Sequence, residues 1–144
     1  MRWIGIPLLV AIILAGCQGP THDLARTQDP PLLSAAAAQA IAIDLVSRLA
    51  EQEAPASTTV HLADDRSAFA LALERALTDW GYTVSRDPGS DKRTNAVSLS
   101  YSLTGLDGQI LARLSMPKMS VGRIYKKSET GAEPDGPFSV QQID

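Results

Sequence analysis

Hydrophobic positions change their spacing along the chain, and each change marks an element. Ile4 to Ala15 is a nearly continuous apolar run. Ile41, Leu45 and Leu49 recur every four residues behind the alanine-rich opening Ala35 to Ala38, which predicts a helix capped by Ser34 and running to about Gln52. Asp44 and Arg48 sit one turn apart on it as a weak pair. Ala54-Pro55-Ala56-Ser57 breaks that helix, and Thr58 to Leu62 is a short β-prone run. Phe69, Leu73, Ala76, Leu77 and Trp80 form a second stripe at helical spacing, predicting a helix over Arg66 to Trp80 with Asp64 or Asp65 as its cap and Gly81 at its end. Trp80 ends that stripe and reads as packing rather than as a ligand platform.

Beyond Gly81 the period falls to two. Tyr82 to Ser85 reads as a strand and Arg86 to Thr94 as a loop. Val97, Leu99, Tyr101 and Leu103 then alternate with Ser98, Ser100, Ser102 and Thr104, followed by the turn pair Asp107-Gly108. A two-residue turn there sets Leu103 against Ala112, Tyr101 against Leu114 and Leu99 against Met116, so both apolar sets share one face; a slip of one residue would separate them. Ser98, Ser100 and Ser102, with Arg113 and Ser115, are left for the solvated face. Pro117 is expected to interrupt pairing, and Ser120 to Tyr125 offers another strand that ends at Lys126 and Lys127, suited to an exposed edge. Ser128 to Pro137 reads as a polar loop. Phe138-Ser139-Val140 is an isolated apolar spot that either closes the sheet edge or docks on a neighbour. The elements add up to a small α+β domain: an antiparallel sheet with one packed helix, in the order strand-helix-strand-strand-strand, preceded by an accessory helix.

The apolar run at the start is about a dozen residues long and contains Pro7, whereas a membrane span needs about 20. With Arg2 before it and Leu14-Ala15-Gly16-Cys17 closing it, it reads as an export signal. Those last four residues resemble the lipobox of bacterial lipoprotein precursors. That resemblance implies recognition of Leu14, Ala15 and Gly16 by a dedicated signal peptidase, cleavage before Cys17, and a diacylglycerol with an N-acyl chain on Cys17. Cys17 is the only cysteine, so no intramolecular disulfide is possible. Residues 1–16 are thus expected to be the signal peptide, 17–33 a lipidated tether rich in polar residues and prolines, and 34–144 the folded domain. The sixteen residues from Gln18 to Leu33 reach about 50 Å when stretched, at about 3.3 Å each. Gln18, where an aspartate would favour the inner membrane, implies by the same resemblance the outer membrane, with the domain facing the periplasm.

Composition narrows the chemistry. The formal charge is −3 with basic residues scattered, and losing Arg2 would leave 12 basic against 16 acidic residues, or −4, so nothing draws the chain to nucleic acid. His22 and His61 have no second histidine or cysteine at metal-ligand spacing, so no metal site is expected. Asp64-Asp65 reads as helix capping rather than a catalytic pair. No nucleophile elbow or phosphate-binding glycine loop occurs, which argues against an enzyme with a small-molecule substrate.

Taken together, the lipobox, Thr58-Thr59-Val60-His61-Leu62, the Phe69 to Val84 block with Ala76-Leu77 and Gly81-Tyr82, the Leu106-Asp107-Gly108 turn and the Pro137 to Val140 stretch resemble the TrbH family of conjugal transfer lipoproteins. The resemblance implies a lipid-anchored structural subunit of a type IV secretion channel for mating-pair formation. It implies membrane attachment through the lipid, other channel subunits as partners, no resident cofactor and no catalytic residue. Phe138 and Val140 are the candidate partner contacts. The competing expectation is an auxiliary lipoprotein of an envelope transport or assembly machine, which should show a binding pocket between helix and sheet; a cell-wall enzyme regulator is a further alternative.

Overall fold

Ser34 starts the first helix: its hydroxyl accepts the Ala37 N–H at 3.1 Å, satisfying one of the donors a helix N-terminus leaves open. The structure, a computed structural model, describes residues 33–87 and 96–144. In chain order it holds α1 (Ala35–Gln52), β1 (Thr59–Leu62), α2 (Ala68–Asp79), β2 (Thr83–Ser85), β3 (Val97–Leu106), β4 (Gln109–Met116), β5 (Met119–Ser128), β6 (Gly131–Pro134) and β7 (Ser139–Gln142). The α+β class is as expected, but the sheet is mixed. Its order is β2-β1-β3-β4-β5-β6, with β1 parallel to both β2 and β3 and the remaining pairs antiparallel; β7 also pairs with β5.

One face of the sheet carries both helices. Ile41, Leu45, Val46 and Leu49 of α1 are buried with Phe69, Leu73 and Leu77 of α2 against Val60, Leu99, Leu114 and Val121. Burial of a side chain of this size contributes about 1.5–3 kcal/mol, and Ala37, Ala38 and Ala42, also buried, let α1 approach closely. So α1 is an integral layer rather than an accessory one. Its approach to β6 is tightest at Gly131, where φ is +135° and a Cβ would lie 2.9 Å from the carbonyl carbon and oxygen of Ala36. Gly131→Ala combines backbone strain with a backbone clash and is expected to destabilise the domain by about 3 kcal/mol; thermal unfolding checks this, and an unchanged melting temperature would contradict it.

The second helix departs from the sequence reading at both ends. Its cap is Ser67, whose hydroxyl accepts the Ala70 N–H at 3.1 Å, and neither Asp64 nor Asp65 fills that position. Asp65 instead accepts the Ser67 N–H at 2.8 Å and shapes the turn leading into the helix. At the far end Gly81, with φ +97°, reverses the chain: Gly81 N–H bonds Thr78 O at 3.0 Å and Tyr82 N–H bonds Leu77 O at 3.0 Å. That reversal turns Trp80 outward, 46% exposed, and puts Tyr82 in the core place expected for it. The Tyr82 hydroxyl donates to the Glu53 carbonyl at 2.6 Å and so joins the ends of both helices.

The β3–β4 hairpin has the expected register, Leu103 opposite Ala112 and Tyr101 opposite Leu114, around Asp107 and Gly108, both with positive φ. Ladder pairing stops at Ser100–Ser115, one position short of the expected Leu99–Met116 pair, and on its other edge β3 pairs Leu99 with Leu62 of β1. Pro117 does not interrupt pairing; it begins a two-residue turn across which Met116 faces Met119. The segment expected to be a polar loop contains β6, and β6 and β7 lie end to end along one side of β5. Lys126 is therefore inside the sheet, 3.9 Å from Glu133 on its neighbour. The expected loop after Arg86 falls mostly outside the described residues.

Candidate functional site

Where β1 ends, the sheet leaves a gap. Asp65 N–H bonds back to Ala63 O at 2.8 Å, bending the chain away toward α2, while β3 continues beyond Leu99. Into that gap opens a cavity of about 420 Å³. Leu62, Leu73 and Leu99 supply apolar lining, and His61, Ser98, Ser100, Tyr101, Asp65 and Arg86 supply polar groups. It lies at the carboxyl end of β1, the strand parallel to both of its neighbours.

The polar groups are tied to one another. The Tyr101 hydroxyl donates to the Asp65 carboxylate and lies 2.9 Å from the Ser67 hydroxyl. The bond from Tyr101 holds the Asp65 carboxyl below the usual carboxylate range, with the Ser67 bonds adding to it and burial opposing it. The resulting stabilisation is present above about pH 4 and is lost as the carboxylate protonates below that. Arg86 donates to Glu74 at 3.0 and 2.5 Å and to the Asp65 carbonyl at 2.8 Å, and the Glu74 bond raises its already high pKa. Phe69 packs on the Tyr101 ring with centroids 4.8 Å apart.

A second polar cluster joins α1 to the C-terminal strands. Asp44 accepts Arg123 Nη1 at 3.0 Å and the Tyr125 hydroxyl at 2.7 Å, while Arg123 Nε donates to the Gly136 carbonyl at 2.7 Å. The Arg123 guanidinium stacks 4.2 Å from the Phe138 ring centroid, with Arg48 5.5 Å away. Asp44 thus bonds to β5 rather than to Arg48, which pairs with Glu51.

All three tyrosines of the chain are held neutral beyond their ordinary range. Burial, then the nearby Glu53, pushes Tyr82 up to about 12. Burial, then the bond to Asp65, raises Tyr101; burial, then the bond to Asp44, raises Tyr125. A phenol whose folded pKa is raised stabilises the fold below its unfolded value of about 10, and that contribution is lost as pH climbs through the folded value. Tyrosine ionisation in the native protein is therefore expected to lie above the free phenol's pKa of about 10 and to shift down towards it on unfolding. A native titration centred near pH 10 would contradict this.

The structure places the sequence-derived candidates unequally. Leu14, Ala15, Gly16 and Cys17 lie outside the described residues. Phe138 and Val140 both pack against the core cluster, Phe138 under the arginines and Val140 in β7 opposite Val121. Ser98, Ser100 and Ser102 are exposed on the open face. The roles of Asp65, Tyr101 and Arg86 were not singled out from the sequence; an alternating strand gives Tyr101 a face, but the partners lie 36 residues away from it and 21 residues apart.

Comparison with known proteins then decides the family. The sequence model of the family described as "Conjugal transfer protein TrbH" matches residues 20–144. The chain belongs to the TrbH family. A curated relative, the "Probable conjugal transfer protein TrbH" of Sinorhizobium fredii (strain NBRC 101917 / NGR234), is 44% identical over 146 residues, covering 99% of each chain. The TrbH match takes in every described element, from α1 to β7, so the cavity and the Asp44 cluster both belong to the family domain. No solved structure matches the chain at a significant level. Among the described residues of this TrbH protein, no helix is long and apolar enough to cross a membrane.

Proposed function

We propose that the chain is a lipid-anchored structural subunit of the conjugal transfer (type IV secretion) apparatus, held at the outer membrane by acyl chains on Cys17 and acting by protein–protein binding. The observation that carries this reading is a conjugal transfer family domain over residues 20–144, preceded directly by an apolar run that ends in the chain's only cysteine. Each buried CH₂ contributes about 0.8 kcal/mol, so two or more acyl chains make a lasting anchor where one does not. Restriction to the membrane raises the local concentration of the domain near membrane partners, and modest contacts then suffice. Gln18 supports the outer membrane.

The test is recovery of the tagged chain from envelopes of conjugating donor cells. Other transfer subunits are expected to come with it, and the complex to sediment at outer-membrane density. Recovery alone, or at inner-membrane density, contradicts the reading. The cavity between α2 and the sheet favours the second reading, an auxiliary lipoprotein of an envelope transport or assembly machine, and partners from such a machine in the same recovery would decide for it.

A further inference from the structure

Strand β3 is longer than the strand beside it. It pairs with β1 only at Val97 to Leu99, whereas its other side pairs with β4 from Ser100 to Leu106. In a hairpin closed by a two-residue turn, the residues flanking the turn exchange both main-chain bonds, and every second residue does the same. Leu106, Thr104, Ser102 and Ser100 thus face β4 with their main-chain groups. Those of Tyr101, Leu103 and Gly105 point to the opposite side, into the lane that β1 would occupy had it not bent away at Ala63. Among the described residues no strand fills that lane. It is about 14 Å long, at roughly 3.4 Å per residue.

Two independent features specify its occupant. Main-chain donors and acceptors at alternate residues are matched by the backbone of another extended chain, the basis of recognition by strand addition. The cavity of about 420 Å³ opens at the start of the same lane, with an apolar floor at Leu62, Leu73 and Leu99, and is large enough for the side chain of a residue pairing beside Tyr101. Asp64, whose side chain is 77% exposed, lies 4.0 Å from Arg86, and Arg86 lines the cavity together with Asp65, so carboxylate and guanidinium stand side by side there.

We propose that this lane is a peptide-binding site: an extended segment of another protein adds to the sheet beside Tyr101, Leu103 and Gly105 and places one apolar side chain in the cavity at the end of β1. The site deepens the proposed function and rests on the reading that the domain works by binding other subunits.

The probe is a synthetic eight-residue peptide in which valine alternates with threonine between terminal lysines, added to the full chain purified in detergent. Hydrogen exchange at the amides of Tyr101, Leu103 and Gly105 is expected to slow. The same peptide N-methylated at alternate residues keeps its side chains but loses donors, and is expected to bind at least about tenfold more weakly. Gly105→Pro removes one of the three N–H groups aimed at the lane without touching the β4 ladder, and Ala63→Trp fills the cavity mouth; each is expected to weaken binding by about tenfold or more while the melting temperature holds. Protection at another sheet edge, no protection at about 1 mM peptide, or equal binding of the N-methylated peptide would overturn the site. If Gly105→Pro co-purifies with transfer subunits as the natural chain does, the lane is not their contact and the assembly reading stands. If the natural chain binds the peptide but recovers no transfer subunit, the assembly reading fails and the peptide site stands.

Discussion

Cys17→Ser is expected to move the protein from the envelope to the soluble fraction and to cut DNA transfer by about 100-fold or more. The size follows from effective concentration. Tethering a weak binder near its partner raises apparent affinity by about 10²–10⁴ without any new contact, and losing the tether forfeits that factor. Among the described residues no helix is long and apolar enough to cross a membrane. Serine keeps the size of the residue and loses only the thiol on which acylation depends. Quantitative mating with the substituted donor, compared with envelope fractionation of the same cells, checks the prediction. Normal transfer by a soluble protein would contradict it.

Asp44→Ala is expected to be the most damaging single change to the domain's stability among the polar positions. Asp44 is the common acceptor for Arg123 and for the Tyr125 hydroxyl, and the Arg123 and Asp44 side chains are only 21% and 28% exposed. Removing the carboxylate leaves a guanidinium stacked on Phe138 and a buried phenol without their acceptor. Breaking a buried pair from one side costs about 3–5 kcal/mol, and residual solvent access at this pair favours the lower end, about 3 kcal/mol. For a domain of this size that corresponds to a fall in melting temperature of roughly 10 °C. Truncating Glu51, whose bond to Arg48 is exposed, should by contrast cost under about 1 kcal/mol. Equal effects of the two substitutions in thermal unfolding would show that the Asp44 cluster is not the link between α1 and the C-terminal strands.

What the sequence revealed of the fold follows how local each feature is. The α1 start was legible because Ser34 and Ala37 lie within one turn, and the β3–β4 hairpin because Asp107-Gly108 and strict alternation fix its register. The β6 strand was not legible: Gly131, Ala132, Glu133 and Pro134 show no alternation and are held by main-chain pairing to β5. Parallel pairing of β1 with β3 was hidden for the same reason, since a four-residue strand carries no mark of its neighbours. Trp80 misled because its spacing belongs to the stripe while the Gly81 reversal turns it out.

The site divides in the same way. The Cys17 motif is a contiguous pattern that lies outside the described residues and rests on the sequence alone. The cavity arises where β1 stops and β3 does not, which depends on a strand end and a turn at Ala63 to Asp65 that no residue pattern announces. Arg123, Asp44 and Phe138 come from β5, α1 and the link between β6 and β7, and meet because β7 and β6 share one side of β5. Phe138 and Val140, picked out as a lone apolar spot near the C-terminus, already pack against the domain's own core, and any contact with another subunit would have to use what remains of them at the surface.

Intact mass analysis of the protein isolated from donor envelopes addresses the proposed anchor at Cys17 directly. The account predicts a chain beginning at Cys17 that carries a diacylglycerol on sulfur and an acyl group on its amine. An unmodified thiol at Cys17, in protein that supports normal transfer, would contradict it.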